Sequence, residues 1–245
     1  NQQHEGAETA LVQALDIRAD QRDVLEQYAA SRLAQCKWPI AAVGPKISRR
    51  AFVTRFHPLS ACAYADDPLM QLGLADQYVQ ALTADTPTSF DRRDAAIETG
   101  RRLRIGYVSS DMRAHAVGYL MANLFEAHDR AAIEVFIYYC GIPADDEINQ
   151  RIKGAAEHWT NIRTMSDDEA AAAIAADGID ILVDVNGHTR DARIGVFARR
   201  PAPIIVNWLG YPGTMGSPFH HYIIGDEAVI PPTHKLYYSE QVLRL

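Results

Sequence analysis

The sequence predicts an α/β chain: a parallel sheet with helices on both faces, preceded by an α-helical segment. Three observations predict it. Apolar runs of strand length recur after residue 100, they alternate with helix-forming stretches, and before residue 100 apolar residues recur only at helical spacing. Runs such as "IEVFIYYC" are apolar almost throughout, the pattern of strands buried on both faces.

Between Glu8 and Gln35, Leu11, Ala14, Leu15, Val24, Leu25, Tyr28, Ala29 and Leu33 keep the helical repeat, as two short helices or one interrupted near Asp20. "CKWP" stops that pattern, because Pro39 disfavours a helical conformation at Trp38. From Arg50 to Leu82 the chain reads as irregular and then helical, with Asp66 or Asp67 as a cap and Pro68 in the first turn. The polar, Pro-containing stretch 83–100 reads as a linker, so the expected division is a helical part, 1–100, and a sheet-containing part, 101–245.

In the second part the expected order is strand "LRIGYVS", helix "GYLMANLFEAHD", strand "IEVFIYYC", helix "DDEINQRIKGAAEHW", helix "SDDEAAAAIAADG" and strand "IDILVDV". "PIIVNWLG" and "HYIIGD" add two strands. Ser166 and Glu169 have capping-box spacing, with Asp167 and Asp168 favourable in the first turn, so this acidic cluster reads as structural. The alanines 170–173 read as plain helix formers.

A chain of 245 residues, 48% apolar, can bury a substantial core. Its net charge of −7 argues against a general nucleic-acid binder, and pairs such as Arg49 with Arg50 or Arg101 with Arg102 are too short to reverse that. Cys36, Cys62 and Cys140 are odd in number and widely spaced, fitting neither a disulfide framework nor a zinc site. The expected setting is therefore reducing and cytoplasmic, with no metal. No apolar run approaches the roughly 18 residues of a membrane span. The chain opens on Asn1 without a charged-then-apolar leader, as expected of a segment of a longer protein.

Ligands of parallel sheets bind at the carboxyl ends of the strands. Three loops leave such ends: "SDMRAHAVG", "NGHTRDAR" and "LGYPGTMGSP". In the first, Asp111 and His115 lie four apart before a helix. A helix N-terminus offers free N–H groups to an anion, and a histidine moves protons near neutral pH. Asp111 capping the helix while His115 bonds a neighbouring loop is the alternative, and spacing alone leaves both open. In the second loop, Arg190 and Arg193 would clamp a phosphate or pair with Asp191 or Asp184. The third combines Gly210, Gly213 and Gly216 with Pro212 and Pro218, a rigid loop whose backbone a ligand can approach. His220 and His221 lack partners at metal-ligand spacing.

Together, "LRIGYVSSDMRAHAVGYLM", "DGIDILVDVNGHTRDARIGVFARRPAPIIVNWLGYPGTMGSP" and "YYSEQVL" resemble the amino-terminal catalytic lobe of glycosyltransferase family 41, the O-linked N-acetylglucosamine transferases and SPINDLY proteins. "CKWP" and "HPLSACAYADDP" resemble the segment that joins a tetratricopeptide superhelix to the catalytic region in bacterial members. The resemblance implies a GT-B fold of two Rossmann-like lobes, the second following this chain, and inverting, metal-independent sugar transfer to Ser or Thr of a protein acceptor. The implied co-substrate is a nucleotide sugar, UDP-N-acetylglucosamine, with no cofactor. The implied catalytic residues are Asp111 and His115, and the implied substrate-binding residues are Gly210, Tyr211, Pro212, His188 and Arg193. Two departures from animal members, Ala61 and Ala114 in place of a histidine and an asparagine, leave fucose transfer open. A non-enzymatic protein-binding module and an N-linked glucosyltransferase of related fold stand as rival readings.

Overall fold

The computed structural model of the chain describes residues 2–40, 55–92, 96–97 and 99–245. Arg49 and Arg50 lie outside these, as do 93–95 and 98 of the polar stretch. The chain divides into two compact units, 1–74 and 75–245, and the division falls within a helix, Pro68–Thr83.

The first unit is helical. Helices α1 (Gln2–Ile17) and α2 (Arg22–Ala34) are separated at residues 18–21, where the Gln21 amide donates to the Ala14 and Arg18 carbonyls. The Arg18 carbonyl lies just past the helix end, where backbone acceptors lack intrahelical partners, and the Ala14 carbonyl also accepts from the Arg18 N–H. Helix α3 (Pro58–Tyr64) starts after His57, whose Nδ1 accepts from the Leu59 N–H. Helix α4 (Pro68–Thr83) is capped by Asp67, not Asp66, through the Met70 N–H at 3.0 Å. Leu15, Leu25, Tyr28, Ala29, Phe56, Ala61 and Leu74 form the core, so the Ala61 departure is a buried position.

The second unit is a Rossmann-like α/β fold. Its seven strands are all parallel, in the order β3-β2-β1-β4-β5-β6-β7. They are β1 (Leu103–Ser109), β2 (Ile133–Tyr139), β3 (His158–Asn161), β4 (Ile181–Asp184), β5 (Ile204–Trp208), β6 (Tyr222–Gly225) and β7 (Gln241–Arg244). Helices α5 (Ala116–Ala127) and α6 (Glu147–Ala155) flank β2; α7 (Asp167–Ala176) and the short α8 (Ile194–Ala198) flank β4. Successive strand residues feed opposite faces. Val135, Ile137 and Tyr139 pack with Met121 and Phe125 of α5 and Ile152 of α6. Phe136 and Tyr138 pack with Ala170 and Ile174 of α7 and Phe197 of α8. Tyr78, Val79 and Phe90 join this second core, and the Phe90 N–H donates to the Arg199 carbonyl. That is why the compact unit reaches back into α4, whereas the polar composition of 83–100 placed a boundary at residue 100.

The capping box forms as read: Ser166 accepts from the Glu169 N–H, and Glu169 accepts from the Ser166 N–H. Several elements differ from the sequence reading. "EHW" is not a helix tail, because Ala156 is already extended and His158–Asn161 pairs with Phe136–Tyr139 as an edge strand. Residues 241–244 form β7, and Pro232–Tyr237 form a 3-10 helix. No helix among the described residues is long and apolar enough to cross a membrane.

Candidate active site

The carboxyl ends of β1, β4 and β5 are adjacent in the sheet, so the loops 110–115, 185–193 and 209–218 emerge side by side.

In the first loop Asp111 is buried, and its N–H donates to Ser109 Oγ at 3.0 Å. Its carboxylate accepts from Asn186 Nδ2 at 3.3 Å and from Arg113 at 3.4 Å. His115 lies with Nδ1 3.8 Å from the Asp111 carboxylate. His115, rather than Asp111, caps the following helix: its Nδ1 accepts from the Val117 N–H at 3.3 Å. An Nδ1 that accepts leaves the neutral ring its proton on Nε2. His115 therefore offers an N–H donor from a side chain that is 41% exposed. The loop folds this tightly because Gly118 lets α5 close on it; a Cβ there would lie 2.0 Å from the Arg113 carbonyl oxygen.

In the second loop Asn186 is the joint between loops. Its Oδ1 accepts from the Ser110 N–H at 2.8 Å, and its Nδ2 reaches Ser110 Oγ, Asp111 and Thr189 Oγ1. Gly187 follows at φ 57°, a left-handed conformation that favours glycine. His188 is fully buried: Nε2 donates to the Met215 carbonyl, and the ring stands edge-on to Tyr78 and Tyr211. Arg193 also faces inward. It pairs with Asp167 and donates to the Ile162 and Met165 carbonyls, tying the second loop to the turn before α7. Its partner is thus Asp167, not Asp191 or Asp184.

The third loop opens with Leu209 at φ 76°, a strained conformation for leucine. Gly210 follows with its Cα against the Val185 carbonyl, where a Cβ would meet that oxygen at 1.9 Å. Tyr211 is buried against His188, while Pro212 is exposed. Behind the loop, buried Glu240 accepts from the Met215 N–H and Thr214 Oγ1, both at 2.7 Å, and Tyr238 donates to the Pro212 carbonyl. The only sequence signal for these props is the polar interruption "YYSEQ" before β7.

Asp111 and His115 are thus brought together at the carboxyl end of β1, with Gly210 and Pro212 on the loop after β5, two strands along the same sheet edge. His188, Tyr211 and Arg193 shape the loops from behind. On the same strand edge a hollow of about 310 Å³ is lined by Cys140, Ile142, Arg163, Asp191, Ala192 and Arg193. Burial pushes the Cys140 thiol up to about 12, so it stays protonated at neutral pH. Among the described residues no three His, Cys, Asp or Glu side chains cluster to hold a metal ion.

Residues 74–245 match the sequence profile of glycosyl transferase family 41. A probable UDP-N-acetylglucosamine–peptide N-acetylglucosaminyltransferase, SEC, of Arabidopsis thaliana is 37% identical over 197 residues, 77% of this chain and 20% of that protein. The Caenorhabditis elegans UDP-N-acetylglucosamine–peptide N-acetylglucosaminyltransferase is 42% identical over 137 residues, covering 56% of this chain and 12% of its own length. A mutant O-GlcNAc transferase structure from Thermobaculum terrenum superposes with TM-score 0.66 at 28% identity, covering 97% of this chain and 53% of that one. The chain therefore spans a fifth or less of these two curated relatives and about half of the solved structure.

Proposed function

The chain belongs to glycosyltransferase family 41, and from that premise we propose that it is the amino-terminal lobe of a protein O-glycosyltransferase. In this reading the complete protein transfers N-acetylglucosamine from UDP-N-acetylglucosamine to Ser or Thr of an acceptor protein, with inversion and without a metal or other cofactor. The protein works in the cytoplasm, its helical unit continues a tetratricopeptide superhelix, and a second lobe supplies the other wall of the cleft. Neither nucleic acid nor membrane is a partner.

The observation that carries the assignment is the His115–Asp111 pair at the carboxyl edge of β1, a partly exposed imidazole backed by a buried carboxylate. Transfer requires the leaving diphosphate to be stabilised and the acceptor hydroxyl to lose its proton late. His115, with Nδ1 committed to the Val117 N–H, donates from Nε2 to an oxygen of the substrate. The Asp111 carboxylate lies 3.8 Å from Nδ1 of that ring, where its charge would favour an imidazolium formed by taking up the acceptor's proton. Gly210 and Pro212 present backbone to the sugar; Tyr211 and His188 keep that backbone in place, and Arg193 holds the second loop against the turn before α7.

Incubating the complete protein with acceptor and, separately, UDP-N-acetylglucosamine, GDP-fucose and UDP-glucose tests this reading. Mass spectrometry should locate N-acetylhexosamine on Ser or Thr. Deoxyhexose on those residues would make it a fucosyltransferase, sugar on Asn would overturn O-linkage, and no transfer from any donor would favour a protein-binding module.

A further inference from the structure

Behind the candidate site lies a buried polar chain that the family reading does not use. Asp184, the last residue of β4, is 1% exposed, and His220, two residues before β6, is 3% exposed. His220 Nε2 lies 3.2 Å from Asp184 Oδ2, and His220 Nδ1 lies 2.6 Å from Ser217 Oγ. The other Asp184 oxygen accepts from the Asn186 N–H at 3.0 Å and the Gly187 N–H at 2.8 Å. Asn186 then carries the connection to Ser110 and Asp111. At its far end, the Ser217 N–H donates to Ser239 Oγ, which donates to Glu240 Oε2.

We infer that Asp184 and His220 are positioning residues: the imidazole holds the Asp184 carboxylate, which shapes the 186–187 turn and thereby aims the Asn186 amide at Asp111. This rests on the proposed transfer reaction for its effect on turnover, though not for its geometry. The donor–acceptor logic is closed. An Asp184 carboxylate has only acceptors to offer, so the His220 ring donates to it from Nε2, and Nδ1 shares the Ser217 hydroxyl proton. One buried carboxylate oxygen thereby meets one N–H, and the other meets two. A buried polar group without a partner is costly, so losing the Nε2–H donor should let the turn and the third loop rearrange together.

Glutamine and asparagine separate this role from mere filling of space. Gln at position 220 places an amide nitrogen where the imidazole Nε2 lies; Asn places one near Nδ1 and leaves Asp184 without its donor. Both are polar and smaller than histidine, Asn the more so, and the distinction is therefore read from the His220 tautomer and the Asn186 amide, which packing volume alone does not set. The first measurement is NMR of this 245-residue chain. Wild type should show the Nε2–H tautomer of His220 and a slowly exchanging Asn186 side-chain amide. His220→Gln should keep that amide protected, and His220→Asn should lose the protection. The second measurement is sugar transfer by the complete protein. His220→Asn should lower kcat on the order of ten- to a hundredfold, the scale set by small misplacements of reacting groups, at unchanged KM for the nucleotide sugar, and His220→Gln should recover at least tenfold of it.

Equal Asn186 protection in the two variants, or an Nδ1–H tautomer in wild type, overturns the inference whatever the activity. If wild type transfers no sugar, the proposed function fails while the NMR arm still decides this one. A folded His220→Asn protein that keeps its protected amide and wild-type kcat refutes it on both counts.

Discussion

Replacing Asn186 by Ala tests the joint on which the site geometry hangs. The substitution leaves the Ser110 N–H without its 2.8 Å acceptor and the Asp111 carboxylate without its 3.3 Å donor, both at buried residues. The Ser110 N–H is orphaned, which costs about 1–3 kcal/mol, while the Asp111 carboxylate keeps Arg113 and loses one bond to a charged group, so the two together come to about 3 kcal/mol. For a unit of this size 1 kcal/mol moves Tm by about 2–4 °C, so the expected fall is roughly 6–12 °C. Urea and thermal unfolding followed by circular dichroism measure it. Asn186→Asp adds a sign to the test, because it sets a second carboxylate against Asp111. Like charges raise the pKa of such a pair in the folded state. The variant should be penalised least below the unfolded carboxylate pKa of about 4 and increasingly as pH rises through the raised folded value. Asn186→Ala within about 0.5 kcal/mol of wild type, the range of an ordinary surface substitution, would refute the reasoning.

Gly210→Ala should destabilise the chain by at least about 1–3 kcal/mol, the usual cost of overpacking, since its Cβ would meet a backbone oxygen that no side-chain shift relieves; a Tm equal to wild type would show that the loop lies elsewhere. Burial pushes the Asp180 carboxyl up, but the Arg101 guanidinium and the Arg104 N–H outweigh it and hold it below its usual value. A depressed folded pKa contributes stability that is present above the unfolded value and lost as pH falls through the folded one. Asp180→Asn should therefore flatten the loss of stability below about pH 4, and an unchanged pH–stability curve would contradict the pairing. Arg193→Met keeps the aliphatic stem but strands Asp167 and two carbonyls; amide exchange should rise at residues 162–168, and unchanged exchange would mean the clamp carries no weight. Isothermal titration of this chain alone should detect no tight nucleotide-sugar binding, because the proposed second lobe is needed for it; tight binding would put the donor site within these residues.

Strands β1, β2, β4, β5 and β6 were legible because apolar runs of that length, too short to cross a membrane as a helix, have few other uses. β3 and β7 were not. "HWTN" and "QVLR" are four-residue strands at the sheet edges, paired by backbone atoms that carry no side-chain signature. At the site, residue type and spacing pointed to Asp111 and His115 but misassigned the cap, because a helix is capped as readily by the residue just before it as by an earlier aspartate. His188 and Arg193 illustrate the opposite limit. A loop position says nothing of direction, and both turn inward to partners 26 or more residues away in sequence. The Asp184–His220 pair is separated by 36 residues and rests on the parallel pairing of β4, β5 and β6, so no local pattern announces it.

The account is tested most directly by the turnover of His115→Ala in the complete protein, measured as N-acetylhexosamine added to acceptor Ser or Thr per unit time. A positioned proton donor or acceptor contributes about 10²–10⁴-fold, and a loss on that scale, with the fold intact by circular dichroism, is the expected result. Wild-type turnover in that variant would contradict the assignment of the site.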